Sequence, residues 1–251
     1  MATPDDVRVL VASNLTRRGV RAAFLERTGG ISAPPFDTLN LGFGTGDDLE
    51  AVRVNRRRAS GALDVSAFAT ARQVHGSDVA EVDRARAGAG FDDPSSALPP
   101  ADILTTRVPG VALGTLVADC LPVVLGAAGR LASVHAGWRG VAGGVLPRAV
   151  SLFDAPRSVA AWIGPGIGPC HYEVGPEVIA AVEASTGAAV QRRRNGRTFL
   201  DLRATAAGQL RGLGVADIEV VDECTACSPD RFFSHRRDGM TGRHASVAVL
   251  E

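Results

Sequence analysis

The sequence predicts a mixed α/β protein, and three observations carry that expectation. Helix signals and β-rich runs alternate along the chain without a regular βαβ rhythm. Several β-rich runs are joined by connections too short for crossover helices, which implies antiparallel pairing. The chain has 251 residues with 45% apolar and 22% charged side chains, ordinary values for a soluble protein with a sizeable core. No repeat and no low-complexity linker divides it, so residues 1–251 read as one domain.

Taken in order, the first long irregular stretch is Gly29 to Gly46, GGISAPPFDTLNLGFGTG. Its glycines, with Ser32, Asp37 and Asn40, favour a binding loop. Asp47 and Asp48 can cap a helix through Leu49, Val52 and Arg56 towards Gly61. A hairpin is expected next, Ala67–Val74 with Val79–Val82, turning at His75-Gly76-Ser77-Asp78. The Pro- and Ser-rich stretch Gly88 to Pro100 reads as a mobile surface excursion. Three β-rich runs follow, Val111–Val117, Pro122–Leu125 and Leu131–Val134, and a helix is expected from Val141. A helix over 176–186 begins at Pro176 and stops before Gly187, the usual asymmetry of helix ends. The Arg192–Arg194 run before Asn195-Gly196 reads as a solvated turn. Leu202, Ala206, Leu210 and Leu213 mark another helix, and Asp217–Val221 returns to strand. A Rossmann sheet is disfavoured, and GPGIGP is not a dinucleotide fingerprint.

Composition excludes several functions. All 27 basic side chains are arginine. Without a lysine amine there is no Schiff-base, pyridoxal-phosphate or P-loop chemistry. The 27 bases balance 27 acids, so no net field favours nucleic acid. No apolar run is long enough to cross a bilayer. The amino terminus, with Asp5, Asp6 and Arg8, lacks the layout of a signal peptide. A cytoplasmic, reducing location is therefore expected, where the four cysteines would not be structural disulfides.

Three residues at expected strand ends could converge: His75 in RQVHGSD, Cys120 in VADCLPV and His135 in ASVHAGWRG. Two imidazoles and a thiolate suit zinc, with a fourth position open to water or substrate. The same residues would equally suit a buried free thiol and two hydrogen-bonded core histidines. After His135, Gly137 and Gly140 allow close backbone approach, and Arg139 offers a planar cation for phosphate oxygens. A tight turn with a surface arginine explains that run as well. Cys224 and Cys227 form a C-x-x-C with no second such pair, which favours structural thiols. His171, His235 and His244 read as pocket-wall or surface residues. Arg236 and Arg237 stand beside Phe232, Phe233 and Ser234 and could line a pocket or pair with carboxylates.

Taken together, QVHG, ADCLPV, HAGWRG, IGPGIGPCHYEVG and CTAC with FFSHRRDGMTGR resemble the successive motifs of the YfiH/YlmD family. That family is also called the laccase-domain or polyphenol-oxidase-like family, and peptidoglycan editing factor. The amino-terminal GGISAPPFDTLNLGFGTGDD and the VNRRR after it fit the same pattern, so the resemblance runs from about Gly29 to Arg243. It implies a four-layer α/β/β/α fold with mixed sheets, and a metal held by His75, Cys120 and His135. It also implies phosphorolysis of adenosine, inosine and methylthioadenosine, with deamination of adenosine. His171 and His235 stand where the family often has Cys and Tyr.

The leading expectation is thus a zinc-dependent purine nucleoside phosphorylase with adenosine deaminase activity, whose partners are purine nucleosides and inorganic phosphate. Arg139 would orient phosphate, with Ser32, Asn40, Arg56, Gln73 and Arg236 as further substrate or phosphate residues. Asp119, beside Cys120, is the candidate proton shuttle. Copper is the alternative metal, because two His and one Cys also form a blue-copper equatorial set, which would allow phenol oxidation. A metal-free reading makes Cys120 the nucleophile of a thiol hydrolase, with His75 or His135 as base. A further reading is a zinc-stabilised editing factor for cell-wall precursors that does not turn over nucleosides.

Overall fold

Two β-sheets pack face to face in a computed structural model that describes residues 6–251. Asp5, part of the amino-terminal reading above, lies outside the described residues. The first sheet joins β1 (Val9–Val11), β2 (Val20–Leu25), β12 (His244–Leu250) and β5 (Ala112–Val117) in that order, every pair antiparallel. The second runs β11 (Asp217–Val220), β8 (Ala160–Ile163), β6 (Leu121–Ala127), β7 (Arg130–Ala136), β4 (Ile103–Thr106) and β3 (Val79–Glu81). Its two edge pairs are parallel and the rest antiparallel, so this sheet is mixed.

Strand alternation explains the layering. In β2, Ala22 and Phe24 point at the second sheet, while Ala23 and Leu25 point the other way. Because both faces are buried, β2 reads as a nearly continuous apolar run. Phe24, Leu113 and Val117 meet Val124, Leu131 and Trp162 between the sheets. Outside the first sheet, Leu25, Val247 and Val249 pack with Ala59 of α1 (Leu49–Ala62). Outside the second, Val123, Leu125, Val134 and Ile163 pack against α2 (Trp138–Ala142), α3 (Val145–Val150), α4 (Pro176–Thr186) and α5 (Leu202–Gly212). The layers are therefore helix, sheet, sheet, helix.

The expected helices form where their end signals stand. Asp48 caps α1 by accepting from the Ala51 amide, and Gly187 ends α4 at φ 78°. The helix expected from Val141 begins earlier, at Trp138, because Gly137 is its N-cap. Two other expectations fail. No hairpin forms over 67–82: β3 pairs in parallel with β4, and Ala69 and Ala71 bridge Leu113 and Leu98 instead. The turn at His75 exists because Asp102 collects the amides of Val74, His75 and Gly76. Arg192–Arg194 is also no turn, since it lies in β9 (Gln191–Arg194), which pairs with β10 (Arg197–Leu200) around Asn195-Gly196.

The Gly88–Pro100 stretch is anchored rather than loose. Phe91 and Leu98 are buried, and the Arg56 guanidinium donates to the Gly90 and Phe91 carbonyls. Among the described residues no helix is long and apolar enough to cross a membrane.

Candidate metal centre and its pocket

Three chain segments meet at one end of the sheets. Cys120 ends the short passage Ala118-Asp119-Cys120, where the chain leaves β5 in one sheet and enters β6 in the other. Asp119 makes that change of direction at φ 90°. His75, at φ 62°, sits in the turn gathered by Asp102, and His135 lies near the end of β7. Left-handed backbone at two non-glycine residues is strain that surrounding contacts must hold. Here both residues are at or beside the candidate ligands.

The structure brings His75, Cys120 and His135 together, with one ligand atom of each within 4.8 Å of the others. The Cys120 Sγ lies 3.8 Å from His75 Nε2, and the two imidazole centroids are 4.7 Å apart. His135 Nδ1 is 2.7 Å from Asp102 Oδ1, which leaves Nε2 for a metal and fixes the ring. Gly137 completes the cradle. A Cβ there would stand 2.8 Å from His75 Cδ2 and 2.9 Å from Cys120 Sγ. The donor set and this enforced closeness fit a zinc-sized cation.

Electrostatics point the same way. Burial opposes ionisation of Cys120, yet hydrogen bonds from His135 and His75 bring the thiol down to about 6. Burial likewise opposes charge on His135, but Asp102 and Cys120 raise it to about 9. Asp102 itself is buried, and the groups donating to it, His135 first, hold it below the ordinary carboxylate value. A cation arriving here finds a thiolate already favoured and displaces a proton from His135.

The trio opens into a cavity of about 570 Å³. Arg72, Arg139 and Arg243 line it, and among the described residues no carboxylate does. Phe43, Leu116, Val117 and Ala118 supply apolar wall, and Gly42–Thr45 form a rim. The Arg139 guanidinium stacks on Trp138 at 4.5 Å, and among the described residues no carboxylate pairs with it. Gln73 also lines the cavity, its amide exchanging two hydrogen bonds with the Leu116 backbone. His235 is a wall residue as expected, tied by Nδ1 to the Gly239 carbonyl.

Other expected site residues stand behind the wall. Ser32 and Asn40 are buried and share Asp47, and Asn40 Oδ1 accepts from the Gly42 and Arg243 amides. They brace the Gly42–Thr45 rim. Arg56 is 1% exposed, and burial lowers it to about 10 while it holds the Leu41, Gly90 and Phe91 carbonyls. Arg236 turns away and donates to the Glu173 carbonyl, with its guanidinium over Tyr172. Asp119 has both oxygens engaged, Oδ1 by the Thr225 hydroxyl and Oδ2 by the Arg236 amide. These contacts hold the turn that presents Cys120. His244 is a core residue, wholly buried among Phe24, Phe232 and Phe233. Sequence reasoning missed Asp102 and Arg243. Arg243 had a signal, since TGR closes the last motif; Asp102 had only its place before an apolar strand.

Fold and site together define a class: a four-layer α/β/β/α protein with a His₂Cys metal-capable group at the floor of a cationic pocket. Residues 21–251 match the family model described as multi-copper polyphenol oxidoreductase laccase. The chain is 41% identical to the purine nucleoside phosphorylase YfiH of Escherichia coli K12, over 93% of this chain and 95% of that one. It is 40% identical to a purine nucleoside phosphorylase of Mycobacterium tuberculosis, over 92% of each chain. The crystal structure of YlmD from Geobacillus stearothermophilus superposes with a TM-score of 0.90 at 36% identity, covering 96% of this chain and 94% of that one. The chain belongs to this laccase-domain family, the family of YfiH and YlmD.

Proposed function

We propose that the chain is a zinc-dependent purine nucleoside phosphorylase acting on adenosine, inosine and methylthioadenosine, with adenosine deaminase activity. The observation that carries this reading is the charge of the pocket. Three arginines and, among the described residues, no carboxylate surround a cavity whose floor is the His₂Cys group. Such a pocket attracts a phosphate dianion and holds it beside the metal position. The names of the E. coli and M. tuberculosis relatives support the same substrate class.

In phosphorolysis a phosphate oxygen bonds to the ribose anomeric carbon as the carbon–nitrogen bond breaks, and the electron pair leaves with the purine. Arg139 and Arg243 would hold the phosphate oxygens and aim one of them at the anomeric carbon. Phe43 and the Leu116–Ala118 wall would take the flat purine. His75, Cys120 and His135 would hold zinc, which supplies Lewis acidity to an oxygen ligand or a bound water. Gln73 and Asp119 would position the wall and Cys120. Adenosine incubated with the protein, with and without phosphate, tests the reading by its products: adenine and ribose 1-phosphate, or inosine.

Copper chemistry is a second reading, favoured by the description of the matching family model. The His₂Cys set would accept copper readily. A trinuclear copper cluster lacks ligands, however. Among the described residues His244 is buried in the core, His235 is bound to a carbonyl, and His171 stands with three cysteines. Phenol oxidation by copper-loaded protein, compared with zinc-loaded protein, tests it.

A further inference from the structure

Outside the pocket, the C-x-x-C pair does not stand alone. Cys170 and His171, from the segment after β8, meet Cys224 and Cys227, from the segment after β11, with all four ligand atoms within 4.8 Å of one another. The Cys170 Sγ lies 3.4 Å from both Cys227 Sγ and His171 Nδ1. His171 Nδ1 is 3.4 Å from Cys227 Sγ and 3.8 Å from Cys224 Sγ. Zinc–thiolate bonds of about 2.3 Å and zinc–imidazole bonds of about 2.0 Å give tetrahedral edges of roughly 3.5–3.8 Å. Four of the six edges are 3.4–3.8 Å, close to those values, and the other two lie within 4.8 Å.

The surroundings are built for such a centre. The Gly168 amide donates to Cys224 Sγ at 3.2 Å, as amides do to metal-bound thiolates. Glycine at 168 gives this room, since a Cβ would crowd the Arg203 guanidinium at 2.9 Å, Cys224 Cβ at 3.1 Å and Cys170 Sγ at 3.3 Å. Three thiolates and a neutral imidazole leave a zinc centre with one negative charge. Arg192–Arg194 and Arg203 line the groove beside it with Asp201, Asp222 and Glu223, so four arginines face three carboxylates, and Arg203 pairs with Asp222 at 3.1 Å.

We propose that Cys170, His171, Cys224 and Cys227 form a second metal site, a structural zinc centre of three thiolates and one imidazole that clamps the segment after β8 to the segment after β11. The clamp acts on the turn that presents Cys120. Thr225, between the two cysteines, donates its hydroxyl to Asp119 Oδ1 and its amide to the Gly166 carbonyl, and Ile167 donates to the Asp119 carbonyl. The fourth ligand position is filled by protein, so this zinc takes no substrate. The inference is independent of the nucleoside reading.

Elemental analysis of the full chain, purified under reducing conditions, tests it. Two zinc ions per chain are expected in the wild type, one in Cys120→Ser and one in the Cys224→Ser/Cys227→Ser double variant. Equal zinc in the wild type and the double variant would overturn the proposal. Cobalt titration of metal-free wild type covers the case in which the double variant fails to fold. A site with three thiolates should add a charge-transfer band about three times as intense as the single-thiolate site, as ligand count dictates. Saturation with only a single-thiolate band would equally overturn the proposal.

Discussion

Replacing Asp102 with Asn should weaken metal binding at His75, Cys120 and His135 without touching a ligand. Asp102 Oδ1 accepts from the His75 amide at 2.9 Å and from His135 Nδ1 at 2.7 Å; Oδ2 accepts from the Gly76 amide at 2.7 Å and the Val74 amide at 3.1 Å. Whichever way an Asn amide is turned, its NH₂ faces two N–H donors. Two hydrogen bonds to a charged acceptor are lost, each worth about 1.5–3 kcal/mol, so the turn and the His135 ring loosen by about 3 kcal/mol or more. Loss of an outer partner of this kind lowers metal affinity roughly 10–100-fold, or about 1.4–2.7 kcal/mol. Competition for zinc against a chromophoric chelator reads the affinity, and urea unfolding of the metal-free protein reads the stability. Unchanged zinc affinity in a folded Asp102→Asn would refute the claim that Asp102 sets the geometry of the site.

Further outcomes follow from the same contacts. Gly137→Ala should cut zinc content at the His₂Cys group sharply, because its Cβ would sit within 2.9 Å of Cys120 Sγ; elemental analysis checks this. Arg139→Ala should raise the KM for phosphate at least tenfold and leave zinc content unchanged, since Arg139 lines the pocket and ligates nothing; steady-state kinetics with varied phosphate decide it. Burial pushes the His244 imidazole down to about 3 from 6.5, so the folded state keeps it neutral while the unfolded chain protonates it. Stability from this group is complete above pH 6.5 and falls as the pH drops towards 3, by up to about 1.4 kcal/mol per unit. Urea unfolding between pH 4 and 7 should show that slope, and His244→Gln should flatten it.

Local signals made the helices legible. Asp48 and Gly187 mark ends that involve only neighbours in sequence, and α1 and α4 start or stop there. The segment 67–82 misled because its apolar alternation is satisfied by bridges to Leu113 and Leu98 and by β4, all distant in sequence. The same distinction runs through the site. His75, Cys120 and His135 could be named as a group because their chemistry is shared, whatever path the chain takes. Asp102 could not, since one carboxylate before a strand says nothing of the four N–H groups that will surround it. Ser32 and Asn40, polar in a glycine-rich stretch, and Arg56 in the helix after it read as ligand-binding residues; in the structure Asn40 and Arg56 hold buried backbone behind the rim, and Ser32 bonds to Asp47. The Cys224–Cys227 pair was read as structural thiols because its partners, Cys170 and His171, sit on a different segment.

Phosphorolysis in this pocket requires phosphate as the second substrate. Zinc-loaded protein incubated with adenosine should release adenine and ribose 1-phosphate in equal amounts when phosphate is present, with adenine release falling to background when phosphate is left out. Adenine release at the same rate without phosphate, or no nucleoside turnover by zinc-loaded protein, would contradict it.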